Sequence, residues 1–215
     1  MPKPPTRTQS PPWLWIGLGA IVLLALVAAV AVSATGGDDE ADVPEGVEQV
    51  RSVTVEGDAL PQFPGGGGND PGVGELAPEL RGAGFDGGNV QVARDGRGKV
   101  VVFLAHWCPH CQAEVPVIVE HLAGGYELPD DVDLVAVSTA VDESQPNFPP
   151  SAWLDEERWT APVLVDDADG AAANAFGLTG FPYLVALDPD GRVVGRISGE
   201  FPMPVFEALA EAAAG

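Results

Sequence analysis

The stretch that decides the fold is Val100-Val101-Val102-Phe103-Leu104-Ala105-His106-Trp107-Cys108-Pro109-His110-Cys111-Gln112-Ala113-Glu114-Val115-Pro116. Its first six residues are continuously apolar, the pattern of a strand buried on both faces rather than one that alternates between core and solvent. Beyond the second cysteine, Val115, Val117, Ile118 and Leu122 recur at helical spacing, interrupted by Pro116, and Gly124-Gly125 ends the run. Cys108 and Cys111 therefore fall where a buried strand hands over to the N-terminus of a helix.

On the N-terminal side, residues 90–93 alternate like an edge strand and residues 95–98 (Asp-Gly-Arg-Gly) read as a turn. On the C-terminal side, residues 132–141 form a second buried strand, residues 144–159 a polar stretch with a short helix, and residues 163–165 a third short strand. Residues 171–176 favour helix. Residues 183–187 and 193–197, joined by Asp188-Pro189-Asp190-Gly191, are the plainest hairpin signal in the chain, and residues 206–214 close it with an alanine-rich helix. Strand, helix, strand, helix, hairpin, helix is the order of an α/β domain whose central sheet is mixed and flanked by helices.

The cysteine pair carries the chemistry. These are the only two cysteines in the chain, so a disulfide-stapled scaffold is excluded. Four-coordinate zinc needs further ligands, and neither His106 nor His110 stands at the usual finger spacing. Thiol–disulfide exchange, in contrast, needs an attacking thiolate, a second thiol to resolve the mixed disulfide, and access for another sulfur. At the first turn, unpaired backbone N–H groups and the positive helix end favour a Cys108 thiolate, whereas Cys111 lies one turn in and more shielded. Cys108 is thus the expected nucleophile and Cys111 the resolving thiol, with Cys108–Cys111 as the oxidised form. Pro109 suits the first helical turn. A protonated His110 adds stabilisation to the thiolate and makes the disulfide more oxidising. His106 is expected to be an ordinary exposed polar residue.

The segment from Ala105 to Pro116 resembles the thioredoxin superfamily, and within it the membrane-anchored TlpA-like thiol–disulfide oxidoreductases with a redoxin-type domain, whose pattern is W-C-x-x-C followed by x-x-E and a proline. Trp107, Cys108, Cys111, Glu114 and Pro116 match it. The resemblance extends to Gly180-Phe181-Pro182-Tyr183, which implies a cis-proline at Pro182 lying against the cysteine pair and helping to bind substrate chain. It covers residues 72–215 and implies a thioredoxin-like fold. Thioredoxins proper carry a buried aspartate in the strand before the pair, where Val102 stands here. Glu114 is the expected substitute as proton acceptor, unless it is an ordinary solvated glutamate. Pro-His between the cysteines is the dipeptide of disulfide-forming oxidases, while the frame is that of reductases, so the redox direction stays open. Related peroxidases place a threonine where Ala105 stands, and a binding module without turnover does not need both cysteines.

Ahead of this domain, residues 13–34 (WLWIGLGAIVLLALVAAVAVSA) carry no charge and no proline, about the length a helix needs to cross a bilayer. Lys3 and Arg7 precede the run and Asp38, Asp39 and Glu40 follow it, which orients residues 1–12 as a cytoplasmic tail and places the rest outside the cell membrane. Trp13 and Trp15 sit where interfacial aromatics belong. A cleaved signal peptide is the alternative, against which the run's length argues. Residues 35–71 are expected to be an acidic, glycine-rich linker. A short strand within residues 47–55 belongs either to the tether or to an extension of the domain, and the compact domain is expected to begin near Gly72.

All 32 acidic residues follow position 37, and the chain has net charge −22. Such a surface repels nucleic acid and anionic headgroups. Nothing in the sequence calls for a metal or organic cofactor. The partners expected are protein thiol or disulfide clients and a membrane redox protein that recycles the pair. Substrate choice is expected at Phe181 and in the insert 142–160, whose Trp153 and Trp159 either face clients or pack in the core.

Overall fold

Gly98–Leu104 forms a strand, β4, in which every residue is buried, so the apolar run at 100–104 does what its pattern predicts. The computed structural model describes residues 46–66 and 68–215. The expected cytoplasmic tail, the 13–34 span and the first acidic part of the linker lie outside the described residues. Among the described residues no helix is long and apolar enough to cross a membrane.

The elements in chain order are β1 (Thr54–Glu56), β2 (Glu79–Ala83), β3 (Asn89–Val92), β4, α1 (Pro109–Ala123), β5 (Val132–Ser138), α2 (Pro150–Glu156), β6 (Val163–Val165), α3 (Ala171–Ala175), β7 (Tyr183–Leu187), β8 (Val193–Ser198) and α4 (Met203–Ala214). A five-stranded sheet has the order β6-β5-β4-β7-β8, and β1-β2-β3 make a second, antiparallel sheet. β4 pairs parallel with β5 and antiparallel with β7, so the sheet is mixed and β4 is its centre. This is the expected thioredoxin-like arrangement.

Alternate residues of β4 feed two cores. Val100, Val102 and Leu104 pack with Cys111, Val115 and Ile118 of α1 and with Phe206 and Ala210 of α4. Val101 and Phe103 face the other side, with Leu80 and Val92 of the small sheet and Phe176 after α3. Phe103 meets Phe176 and Tyr183 at ring-centroid distances of 5.3 and 5.7 Å. The hairpin β7–β8 closes as its turn residues predict: Asp188 Oδ1 accepts from the N–H groups of Asp190 and Arg192, and Gly191 takes the left-handed conformation at φ +78°.

The compact body begins well before Gly72, which corrects the expected boundary. β1 pairs with β2 at Thr54–Arg81, Val55–Leu80 and Glu56–Glu79. Gln49 exchanges hydrogen bonds with Ser151 at 2.9 and 3.0 Å. Leu60 N–H donates to the Ala175 carbonyl and Phe63 N–H to that of Gly177, at 2.9 and 2.8 Å. A side chain at Gly177 would collide with the Pro61 carbonyl oxygen. The strongest tie is Asp70 to Arg196 on β8. The arginine side chain is fully buried, its Nε donates to Asp70 Oδ2 at 2.8 Å, and its Nη1 donates to the Pro61 carbonyl at 2.8 Å and the Tyr183 hydroxyl at 3.2 Å. The second half of the expected linker is therefore an N-terminal extension of the domain, held by the nearby strand β2 and by contacts whose partners lie more than a hundred residues away.

Breaking a buried ion pair by removing one partner leaves an uncompensated charge, a cost of about 3–5 kcal/mol. Asp70→Ala is expected to lower unfolding stability by about that amount, read as a lower urea midpoint. The hydrogen bond from Arg196 holds the Asp70 carboxyl below its ordinary value. A depressed carboxyl contributes stability that is present above its unfolded pKa and lost as pH falls through the folded one. The difference between wild type and variant should therefore shrink below about pH 4.

Candidate active site

β4 ends at Leu104, and Ala105 through Trp107 turn the chain into α1. The Cys108 N–H donates to the Ala105 carbonyl at 3.0 Å, and the Cys108 carbonyl accepts from Gln112 N–H at 3.1 Å. Cys108 is the N-cap of α1, extended at φ −76° and ψ 119°, and Pro109 is the first helical residue. Proline costs nothing there because that N–H has no helical partner. The helix starts three residues before the apolar spacing alone indicated and runs through Pro116.

The two thiols are free and unequally placed. Cys108 retains 6% of its surface and Cys111 none. Burial pushes the Cys111 thiol well above its ordinary range, opposed by the backbone at Ala105 and reinforced by Cys108 and Glu114. Cys108 Sγ lies 4.0 Å from the Phe181 carbonyl oxygen, and the Phe181–Pro182 peptide is cis. The loop expected against the pair is thus there, 73 residues away in sequence. Trp107 joins the two sides of the opening: its Nε1–H donates to the Ala140 carbonyl at 2.7 Å, and its ring meets Phe181 edge-on at 5.9 Å.

Glu114 is buried at 4% exposure. Its Oε2 accepts from Phe201 N–H at 3.4 Å, while Oε1 has no partner. Burial raises its pKa, the Phe201 amide opposes this, and the Glu200 charge adds to it. Val102, where thioredoxins proper hold an aspartate, is fully buried among apolar neighbours of the same core. His110 is exposed, and its Nδ1–H donates to Glu200 Oε1 at 2.6 Å.

His106 departs from the expectation of an exposed residue. It is 1% exposed. Its Nδ1–H donates to the Pro146 carbonyl at 2.8 Å and its Nε2 accepts from Asp142 N–H at 3.3 Å, so both ring nitrogens are used and the neutral ring has one defined tautomer. Burial accordingly lowers its pKa. Glu200 was likewise not singled out from sequence: it sits 90 residues from His110, and a lone glutamate in a loop gives no signal. Trp153 is buried and Trp159 half-buried, both within the core on the α1 side, which is the packing alternative.

Residues 57–213 match the Redoxin family. The chain belongs to that family. Redoxins share the thioredoxin fold, which makes the chain a thioredoxin-like oxidoreductase. It is 34% identical over 97 residues to nucleoredoxin of Mus musculus, a match covering 45% of this chain and 21% of the relative, and 34% identical over 115 residues to probable nucleoredoxin 1 of Arabidopsis thaliana. The chain thus spans about a fifth of the length of these curated relatives. Among solved structures it is similar to a thioredoxin-family thiol:disulfide interchange protein of Chlorobium tepidum, at 26% identity and a TM-score of 0.52, over 65% of this chain and 96% of that one. It is also similar to MTB dsbF, solved in mixed oxidized and reduced forms, at 25% identity and a TM-score of 0.52, over 62% and 94%. The fold of StoA from Bacillus subtilis superposes with a TM-score of 0.52 at 18% identity, over 65% and 98%.

An acid whose folded pKa is raised contributes stability below its unfolded pKa and loses it as pH rises through the folded value. Glu114→Gln removes that loss. The variant is expected to unfold at higher denaturant than wild type at pH 8, with the advantage vanishing towards pH 4, in urea titrations across that range.

Proposed function

We propose that this redoxin is an extracytoplasmic thiol–disulfide oxidoreductase that exchanges with protein thiols or disulfides through Cys108-Pro109-His110-Cys111. One observation carries the reading: a rim thiol at a helix N-terminus, Cys108, stands beside a fully buried thiol one turn further in, Cys111, with the Phe181–Pro182 loop against the first of them.

In the reducing direction, Cys108 thiolate attacks a client disulfide, forming a Cys108–client bond and releasing the other client sulfur as a thiolate that takes a proton. Cys111, protonated because burial raises its thiol, gives its proton to the Glu114 carboxylate and attacks Cys108 Sγ. The Cys108–client bond breaks, the departing client sulfur takes the proton held by Glu114, and the client leaves as a dithiol while the enzyme holds the Cys108–Cys111 disulfide. The oxidising direction is the same sequence reversed, with client thiols losing two electrons to the pair. Trp107, Phe181 and Pro182 border the client's approach, and Pro109 and His110 set the electrostatics of the first turn. A membrane redox partner restores the starting state. Residues 13–34 are the proposed anchor, a single span with the N-terminus in the cytoplasm. Alkaline carbonate extraction of membranes should leave the full chain in the pellet.

Cys108→Ser and Cys111→Ser should each bring turnover with a disulfide-containing protein such as insulin to background, and full activity in Cys108→Ser would sink the assignment. Equilibration with glutathione reads the direction: a potential of about −120 mV makes the protein an oxidase and one of about −270 mV a reductase.

A further inference from the structure

The exposed loop 141–147 between β5 and α2 follows Ala140, whose carbonyl accepts from Trp107 beside Cys108, and Trp107 also meets Phe181. It contains no helix or strand. Its internal bonds are few: Asp142 Oδ1 accepts from the N–H and hydroxyl of Ser144, and the Asp142 carbonyl accepts from Gln145 N–H. Among the described residues, every hydrogen bond that ties residues 141–148 to the rest of the protein ends on His106. Its Nδ1–H holds the Pro146 carbonyl at 2.8 Å, its Nε2 holds Asp142 N–H at 3.3 Å, and its carbonyl oxygen holds Asn147 Nδ2 at 3.3 Å. The ring also meets Phe148 edge-on at 6.0 Å. The same carbonyl accepts from Gln112 Nε2 at 2.9 Å, so the anchor is fixed to α1 next to Cys111. Ala140 and Asn147, at the ends of the loop, are left-handed at φ 53° and 60°, a conformation non-glycine residues keep only where surrounding structure imposes it.

A loop with this little internal structure takes its shape from its tether, and here the tether is one side chain two positions before the rim cysteine. We propose that His106 is a positioning residue that sets loop 141–148 as one wall of the groove for an extended client segment, with Phe181 and Pro182 as the other. The inference rests on the exchange reading above. It assigns to His106 the binding of protein clients, not the reactivity of the cysteine pair.

The test compares a protein disulfide, insulin, with a small one, glutathione disulfide, using the full chain. His106→Phe keeps a planar ring and drops both ring hydrogen bonds. His106→Asn keeps a donor near the Nδ1 position, and His106→Gln an acceptor near Nε2. Two hydrogen bonds of ordinary strength correspond to about a five- to 150-fold change in an equilibrium constant. His106→Phe is therefore expected to raise KM for insulin by about that factor. Its kcat, its rate with glutathione disulfide and its reduction potential should stay near wild type, and the Asn and Gln variants should fall between. Replacing residues 142–147 with two glycines leaves His106 in place and should reproduce the insulin KM rise. Equal losses with both substrates, or no loss with insulin in either the His106 variants or the loop replacement, overturn the inference. A wild-type protein inactive with both substrates overturns instead the exchange reading.

Discussion

The burial of β4 on both faces is the constraint from which the site follows. A strand with Val100, Val102 and Leu104 in one core and Val101 and Phe103 in the other cannot shift register by a residue without moving each set to the wrong side. Its end is consequently fixed in space. The three residues after Leu104 leave the sheet, and the chain re-enters the core as α1 with Cys111, Val115 and Ile118 on the inner face. Helical geometry then places Cys108 at the rim and Cys111 inside. The inequality of the two thiols is thus a product of packing, and it needs no charged group to create it.

The turn between β8 and α4 converges on the same place. Glu200 accepts from His110 and the neighbouring Phe201 amide donates to Glu114, so adjacent residues touch both the dipeptide between the cysteines and the buried carboxyl behind them. Glu114 has one oxygen satisfied and one without a partner, an arrangement costly for a carboxylate and tolerable for a carboxylic acid. A carboxylate whose pKa burial has raised is a stronger base than an exposed one, which suits the ionised form of Glu114 to take a proton from a thiol that burial keeps protonated.

Much of this was legible in the sequence because the decisive features are local. The apolar-rich runs at 100–104, 132–138 and 183–187 are the three central strands, and Asp188 to Gly191 is a turn whose residue types dictate its geometry. The paired cysteines, the proline at 182 and the glutamate at 114 were found by motif. What escaped is what depends on distant partners. β2, Glu-Leu-Arg-Gly-Ala, has one fully buried side chain and no period, and it is a strand because β1 and β3 flank it. Asp70 is bound by an arginine 126 residues later, so residues 47–71, glycine- and proline-rich, read as tether while being part of the body. His106 looked ordinary because its role lies in a loop 40 residues downstream.

The extension and the 141–148 loop share a logic: each is a segment of weak intrinsic structure made definite by distant partners, with buried Arg196 prominent among several in the first case and His106 in the second. The central claim, that Cys108 attacks and Cys111 resolves, is tested most directly by trapping. Cys111→Ser is incubated with a disulfide-bonded client, quenched with acid and digested without reductant, and the linked peptides are identified by mass spectrometry. The account predicts a client disulfide on the peptide containing Cys108, which dissolves when a small thiol is added. Failure to form any adduct at Cys108 under conditions where the wild-type protein turns over would contradict it.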